Sequence, residues 1–159
     1  MGLLVRKIRT AVHLSSFDRN LALLTLVLMT AVRVALWTLP FRWMRTALER
    51  SARVRFPEGR VNEKQVGWAV RLASRYVPRA TCLTQAVTAQ ALLKRARIGG
   101  RLVIGVSKTQ RLEGHTWVEV NGYTVVGGTE DVSRFPPCLH WIGISSEKDE
   151  SIDLCGNYL

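Results

Sequence analysis

The chain has 159 residues, a net charge of +11, and a composition of 47% hydrophobic and 22% charged residues. This length fits one domain, or one domain with a helical extension, and it suffices to bury a core without disulfides or metal. The near-average composition and the lack of a repeating period exclude long disordered, repeat and fibrous architectures.

The surplus positive charge is confined to the first half of the chain. Residues 1–81 have 15 lysines and arginines against 4 acidic residues, whereas residues 82–159 have 8 of each. This asymmetry predicts an anionic partner for the first half, such as a membrane surface or an acidic protein, or else a plain basic face. No zinc-finger spacing, RNA-binding aromatic signature or long basic run accompanies it, so we predict no nucleic-acid partner.

The first predicted element is a helix with a long apolar run. Ser16 is its expected cap, and we expect it to begin at Phe17 and to end near Thr38. The apolar residues 21–32 are too few to cross a bilayer. The run becomes long enough only if it is counted through Arg33 to Leu39, and it lacks a small-residue cleavage site. Three interpretations stay open: a core or partner-facing helix, a helix on the membrane surface, and a spanning helix.

The next segment predicts a domain boundary. A second, basic helix is predicted over residues 41–55, and Phe56–Gly59 has the composition of a linker. We therefore predict a basic helical extension over residues 1–59 and a separate domain over residues 60–159.

The hydrophobic period in the second part is first that of helices and then that of strands. The first predicted helix of this part is opened by Asn62 and Gln65 and ends before Pro78, and the second, capped by Thr81, covers residues 82–97. Strands are predicted over residues 101–108, 115–120 and 123–126, with a turn at Asn121-Gly122, and a short last strand over 139–144. Residues 145–153 are predicted to form a polar tail. Helices followed by an antiparallel sheet are typical of the α+β class.

The cysteines predict one reactive site. Cys82, Cys138 and Cys155 are widely spaced without a CxxC pair, which argues against a disulfide framework or a zinc site and fits a reducing cytoplasm. Only Cys82 lies at a predicted helix start, where unpaired N–H groups and the helix dipole favour the thiolate, so we expect the other two to be non-catalytic. His115 opens a later strand. This order is typical of a Cys–His nucleophile pair, although a buried cysteine and a structural histidine would give the same pattern.

Three segments give the chain a resemblance to a known family: residues 82–86 (CLTQA), 101–106 (RLVIGV) and 115–122 (HTWVEVNG). Over residues 62–135 the chain resembles the transglutaminase-like cysteine peptidase domain of lasso-peptide biosynthesis, the leader peptidase that trims a ribosomal precursor before macrolactam closure. The resemblance implies a papain/transglutaminase-like fold, leader-peptide proteolysis, and Cys82 and His115 as the catalytic pair. No residue pattern requires a metal or a cofactor.

The sequence departs from the family at the residue that orients the histidine, an Asp on the strand after the hairpin. A two-residue turn at Asn121-Gly122 pairs Trp117 with Val126 and His115 with Gly128. The position that faces the histidine therefore has no side chain.

Three alternatives remain for the missing residue. Asp131 or Glu130 folds back onto His115, a backbone carbonyl or a water orients the ring, or the site is degenerate and inactive. Glu119 lies on the same face as the histidine but about 13 Å along the strand, too far for a hydrogen bond.

The remaining site residues are predicted by their positions. The backbone N–H of Cys82 is the expected oxyanion donor because a helix start points donors at a developing anion. Gln85 and Tyr76 are candidates for the second donor. Trp117 lines either the cleft or the core beneath it.

The resemblance also implies partners. We expect the precursor peptide, a separate leader-recognition protein and a macrolactam synthetase, with peripheral membrane contact through the N-terminal helices of an otherwise cytoplasmic protein. Two other function classes stay open. One is a different transglutaminase-like acyl transfer or deamidation, and the other is a non-catalytic scaffold that binds a peptide or a membrane.

Overall fold

The computed structural model describes residues 15–38, 55–57, 59–108, 112–128, 135 and 137–143. Within these residues three helices precede a four-stranded antiparallel sheet, so the predicted α+β class is confirmed. The helices are α1 (Ser16–Thr38), α2 (Glu63–Ser74) and α3 (Cys82–Arg95), and the strands are β1 (Gly100–Lys108), β2 (Leu112–Val120), β3 (Tyr123–Val126) and β4 (Pro137–Gly143). The helix predicted over residues 41–55, except its last residue, and the tail predicted over residues 145–153 lie outside the described residues.

The first helix, α1, is capped by Ser15 rather than by the predicted Ser16. The N–H of Asp18 donates to the Ser15 hydroxyl over 3.1 Å, and the N–H of Arg19 donates to the Ser15 carbonyl. A hydroxyl that accepts from an N–H three residues later occupies the cap position, so the helix begins one residue earlier than the sequence indicated.

One face of α1 belongs to the core, and the opposite face is exposed. The inner face packs against α2 and α3 and consists of Leu21, Thr25, Met29 and Val32. The large exposed side chains of the outer face are Leu23, Val27, Val34 and Trp37. By length and composition α1 is apolar enough to cross a membrane, with a mean hydropathy of 2.0, and 22% of that stretch is buried. The burial of the inner face agrees with the interpretation of α1 as a core helix, while the exposed apolar side chains of the outer face do not contribute to the core.

Both α2 and α3 begin where the sequence predicts. At α2 the Gln65 N–H donates to the Asn62 carboxamide oxygen over 2.8 Å, and the Gln65 side-chain oxygen accepts from the Asn62 N–H over 3.1 Å. This reciprocal pair is a capping box. Helix α3 begins at Cys82, directly after its cap Thr81, and ends at Arg95, two residues before the predicted end.

All three helices and three of the strands contribute to one hydrophobic cluster. Its largest fully buried apolar side chains include Met29 of α1, Leu92 and Leu93 of α3 and Leu102 of β1. The domain boundary predicted after residue 59 stays a prediction.

The sheet has the strand order β3-β2-β1-β4, and every neighbouring pair is antiparallel. Strand β2 begins at Leu112, which pairs with Lys108 of β1. The polar loop predicted over residues 109–114 is therefore wrong in its second half, because pairing with β1 outweighs the low strand propensity of these residues. As a result, His115 lies inside β2, opposite Gly105, and not at the start of the strand.

A β-bulge changes the register of the β2–β3 hairpin. The observed pairs are Val120–Tyr123, Glu119–Thr124 and Val118–Val126. The first two are the predicted pairs, but Val125 is then an extra residue on β3. The predicted partners of Trp117 and His115, namely Val126 and Gly128, are therefore wrong, because a bulge displaces every later pair by one residue.

Candidate active site

A cavity of about 870 Å³ opens between the start of α3 and the β2–β3 hairpin. Cys82 and His115 both line it, although 33 residues separate them in the sequence. Cys82 is half-buried, and His115 is only 6% exposed. Gln85, Arg71 and Glu113 add polar groups to the same cavity. The fold thus brings a thiol and an imidazole to one pocket.

The cysteine lies where a helix leaves its donors unsatisfied. The Thr81 hydroxyl accepts from the Thr84 N–H over 3.3 Å, and the Thr81 carbonyl accepts from the Gln85 N–H over 3.0 Å. The N–H groups of Cys82 and Leu83 precede these bonds, so they are the donors that this helix end directs toward an anion. The Gln85 amide donates to the Ala80 carbonyl over 3.0 Å, which holds the side chain beside the first turn.

The histidine ring is held by the backbone of the strand that follows the hairpin. Nε2 of His115 lies 2.7 Å from the carbonyl oxygen of Gly127. A carbonyl oxygen can only accept, so Nε2 must carry the proton. In the neutral ring Nδ1 then has the lone pair, which makes Nδ1 the basic nitrogen of the site.

Only glycine fits at position 127. Its φ is +90°, a conformation that side chains disfavour. A Cβ atom there would lie 2.7 Å from the Thr116 carbonyl oxygen and 2.8 Å from the Trp117 Cβ. The backbone of Gly127 therefore approaches β2 closely enough to present its carbonyl, and not a side chain, to the histidine.

Aromatic side chains pack against the histidine ring. The ring centroid of His115 lies 5.2 Å from that of Phe135 and 6.0 Å from that of Trp117. The Nε1–H of Trp117 donates to Glu119 over 2.7 Å, and Glu119 also forms an ion pair with Arg101 over 2.8 Å. With 3% of its surface exposed and no contact with the cavity, Trp117 belongs to the core beneath the site.

The glycine opposite His115 explains how these rings meet. A Cβ atom on Gly105 would lie 2.8 Å from the Phe135 Cβ and 2.9 Å from the Trp117 ring. The absence of a side chain at Gly105 therefore leaves the space that the two aromatic side chains occupy.

The structure does not bring every predicted site residue to the cavity. Tyr76 is 58% exposed and is not a lining residue. Asp131 and Glu130 lie outside the described residues, as does Cys155, so their roles stay predictions. Cys138 lies on β4, at the far side of the sheet from β3.

Sequence reasoning missed Glu113, Gly105, Arg71 and Phe135, whereas it placed Gly127-Gly128 opposite His115 and gave a backbone carbonyl as one alternative for orienting the ring, which the Gly127 carbonyl does. Glu113 has the strand spacing of a neighbour of His115, a signal hidden by the assumption of a loop there. Gly105 is the only sequence signal for the close approach of Phe135 to β1. Gly127 is the only sequence signal for the close approach of its own carbonyl to His115. Arg71 gives no signal, because the carbonyl that it contacts, that of Val125, lies 54 residues away.

The site offers no cluster of metal ligands within the part of the chain that the structure describes. No group of three His, Cys, Asp or Glu side chains converges there.

Comparison with known proteins gives one finding at the level of a family. A family model described as the transglutaminase-like superfamily matches residues 26–140, more than two thirds of the chain, and the match includes both Cys82 and His115. No curated protein and no solved structure matches the chain.

We predict that Gly127→Ala disturbs both the fold and the histidine. The strained φ and the close contacts should lower the free energy of unfolding by roughly 1–3 kcal/mol. The ring ¹⁵N signals of His115 should show a protonated Nε2 in the unsubstituted protein and lose that pattern in the variant. Urea unfolding and ¹⁵N NMR measure the two effects.

The matched control is Gly128→Ala. Among the described residues its Cβ would meet the exposed Thr124 side chain, at 3.1 Å, and no backbone atom, so the stability should change by less than about 1 kcal/mol. Equal losses of stability in the two variants would contradict the role given to the Gly127 backbone.

Proposed function

The chain belongs to the transglutaminase-like superfamily, and on that premise we propose that it is a cysteine peptidase that removes the leader peptide from a ribosomally made lasso-peptide precursor. This superfamily includes cysteine peptidases. The observation that supports the proposal most directly is that Cys82, at a helix start, and His115, with its tautomer fixed, line one cavity. The choice of substrate rests on the resemblance of the segments around these two residues.

The proposed reaction is acyl transfer to the cysteine followed by hydrolysis. Sγ of Cys82 attacks the carbonyl carbon of the scissile bond while Nδ1 of His115 takes the thiol proton. The oxyanion accepts from the Cys82 N–H, with the Gln85 amide as the second donor. His115 then protonates the leaving amine, and a water activated by the same nitrogen hydrolyses the thioester.

The Gly127 carbonyl supplies orientation to this reaction and not a full negative charge. It holds the proton of His115 on Nε2, which leaves Nδ1 as the nitrogen that carries the lone pair in the neutral ring. Asp131 and Glu130 remain candidates for placing a carboxylate beside the imidazolium of His115.

A non-catalytic scaffold is the second candidate function. The observation that favours it is the neutral carbonyl at His115, where the family has a carboxylate. A different acyl transfer, such as amide exchange or deamidation, would use the same Cys82–His115 pair. The mass of the product separates these classes, because hydrolysis of a backbone bond gives two peptides and the other reactions keep one.

We predict that Cys82→Ala abolishes cleavage and keeps the fold. Alanine is well tolerated at a helix start, and no other group would replace the thiol. The assay combines the protein with a lasso-type precursor peptide and the proposed recognition protein, and mass spectrometry follows release of the leader. Cys138→Ala and Cys155→Ala are the matched controls and should keep substantial activity. Cleavage that survives Cys82→Ala would refute the assignment.

We predict that His115→Ala lowers kcat/KM by roughly 10²–10⁴-fold, the range for a positioned acid–base group. His13→Ala and His140→Ala are the controls and should have much smaller effects. His140 lies on β4, where its backbone pairs with Val103, two strands from His115. An equal loss in His140→Ala, with the fold unchanged, would contradict the assignment of the base.

We also propose that the outer face of α1 contacts an anionic membrane surface on the cytoplasmic side. Its exposed apolar side chains include Val27, at 68%, and Trp37, at 72%. The Arg33 guanidinium lies 5.2 Å from the Trp37 ring centroid, which places a cation beside an aromatic side chain suited to a membrane interface. A spanning role would withdraw the inner face of α1 from the core, so the proposal is surface contact. The same basic half is the proposed docking site for the recognition protein and the synthetase.

We predict that the full chain sediments with anionic vesicles at low salt, and less with neutral vesicles or at high salt, because salt screens the charges. Val27→Gln should weaken vesicle binding by about tenfold, since it removes a side chain that would be buried in the membrane. Asn20→Gln, an exposed polar exchange on the same helix, should change nothing. Binding that is equal for both lipids at both salt concentrations would contradict the electrostatic part.

A further inference from the structure

A second concave surface adjoins the cavity of Cys82 and His115. It is a groove of about 660 Å³ between α2 and β3, which we name the α2–β3 groove, and its walls are Glu63, Lys64, Gly67 and Arg71 on one side and Val120, Asn121 and Tyr123–Val125 on the other. Three residues line both the groove and the cavity: Arg71, Thr124 and Val125. The groove is therefore an extension of the candidate active site along the hairpin.

One wall of the groove is β3, which is an edge strand within the part of the chain that the structure describes. β3 is the last strand in the sheet order, and among the described strands β2 alone pairs with it. In a hairpin with a two-residue turn, the closing pair Val120–Tyr123 exchanges both hydrogen bonds, and the next pair, Glu119–Thr124, exchanges none. The N–H and the carbonyl of Thr124 therefore point away from β2, into the groove. Such groups pair readily with an extended peptide.

The other wall approaches β3 closely because α2 has a glycine there. A Cβ atom on Gly67 would lie 2.8 Å from the Val125 carbonyl oxygen. Arg71, one turn further along α2, donates from one guanidinium nitrogen to the same oxygen over 3.1 Å. This bond fixes Arg71 where the groove meets the cavity.

Arg71 still has donors for a ligand. A guanidinium has five N–H groups in a planar fork that matches a carboxylate. Among the residues that the structure describes, no carboxylate forms an ion pair with Arg71, although Glu113 lines the same cavity. Lys64 adds a second cation to the groove, and Glu63 is the acid among its described lining residues.

We infer that the α2–β3 groove binds an extended segment of the peptide substrate, with an acidic side chain held by Arg71 and the main chain paired with Thr124. This inference rests on the proposed cysteine peptidase function and adds the chemistry by which the substrate is selected. The segment pairs with β3 at Thr124, passes Arg71 where the groove meets the cavity, and places its reactive bond at Cys82.

The test uses double-headed epoxysuccinyl peptides, which carry a tripeptide on each side of an epoxide that a thiolate opens. Each position in turn is Glu in one reagent and Gln in its matched partner, and the other positions are Ala. The rate of Cys82 modification, followed by mass spectrometry, gives a Glu/Gln rate ratio for each position. Because both reagents act on the same sample, the ratio does not depend on the folded fraction.

We expect a ratio of about ten at one position, as one charge-assisted hydrogen bond would give. Arg71→Gln should lower this ratio to about one. Arg75→Gln removes the same charge one turn later, from an exposed residue that lines neither surface, and should keep the ratio. A ratio near one at all positions, or a ratio that survives Arg71→Gln, would overturn the inference.

The main-chain contact is tested with N-methylated reagents. N-methylation of one peptide bond should slow modification of Cys82 about tenfold, because it removes the donor to the Thr124 carbonyl, and equal rates for every reagent would overturn the paired strand. Iodoacetamide, which has no peptide, separates the two proposals. If it modifies Cys82 while the peptide reagents show no preference, only the inference fails. If neither kind of reagent modifies Cys82, the proposed function fails and the inference with it.

Discussion

The hydrogen bond between the His115 ring and the Gly127 carbonyl is the contact on which the rest of the site depends. Its length of 2.7 Å is possible only because the chain after the hairpin bulges at Val125 and then turns with a positive φ at Gly127. Both features are properties of the backbone. The path of the main chain thus places the carbonyl that holds the proton on Nε2, and the rings of Trp117 and Phe135 pack beside the histidine.

Under the proposed function, a carbonyl at this position limits how far the imidazolium of His115 is stabilised, and a cysteine nucleophile fits that limit. A carboxylate would stabilise an imidazolium by a full opposite charge, whereas a carbonyl contributes only a dipole. A thiol loses its proton far more readily than a hydroxyl, so a cysteine depends less on the strength of its base than a serine does. Cys82 and the Gly127 carbonyl are therefore mutually consistent, and a serine in place of Cys82 would not be.

The parts of the site that the sequence predicted are the local ones. The cap at Thr81, the capping box at Asn62 and the turn at Asn121-Gly122 each involve residues within four positions, so their chemistry is visible in a short segment. The bulge is not visible in this way, because strand propensity is the same for an inserted residue as for a paired one. The strand start at Leu112 was missed for a related reason, since it follows from pairing with β1 and not from its own sequence.

Contacts between distant segments were the least predictable, and α2 shows why they matter. Gln65 near its start donates to Asp18 of α1 over 3.3 Å, while Gly67 and Arg71 contact β3 at Val125. A shift of α2 toward either neighbour would break the contact with the other. The inner face of α1, α2 and the hairpin are thus one packed unit, and changes to that face would alter the width of the α2–β3 groove.

The outer face of α1 is outside this constraint. Its exposed side chains make no contribution to the core. The free energy that they contribute therefore depends on whether water, a membrane or a partner protein contacts them. Binding to a membrane or to a partner through this face can therefore proceed without moving α2, and the geometry of Cys82 and His115 need not change when the protein docks. Under the proposed function, docking of the protein and cleavage of a peptide would therefore depend on different faces of one fold.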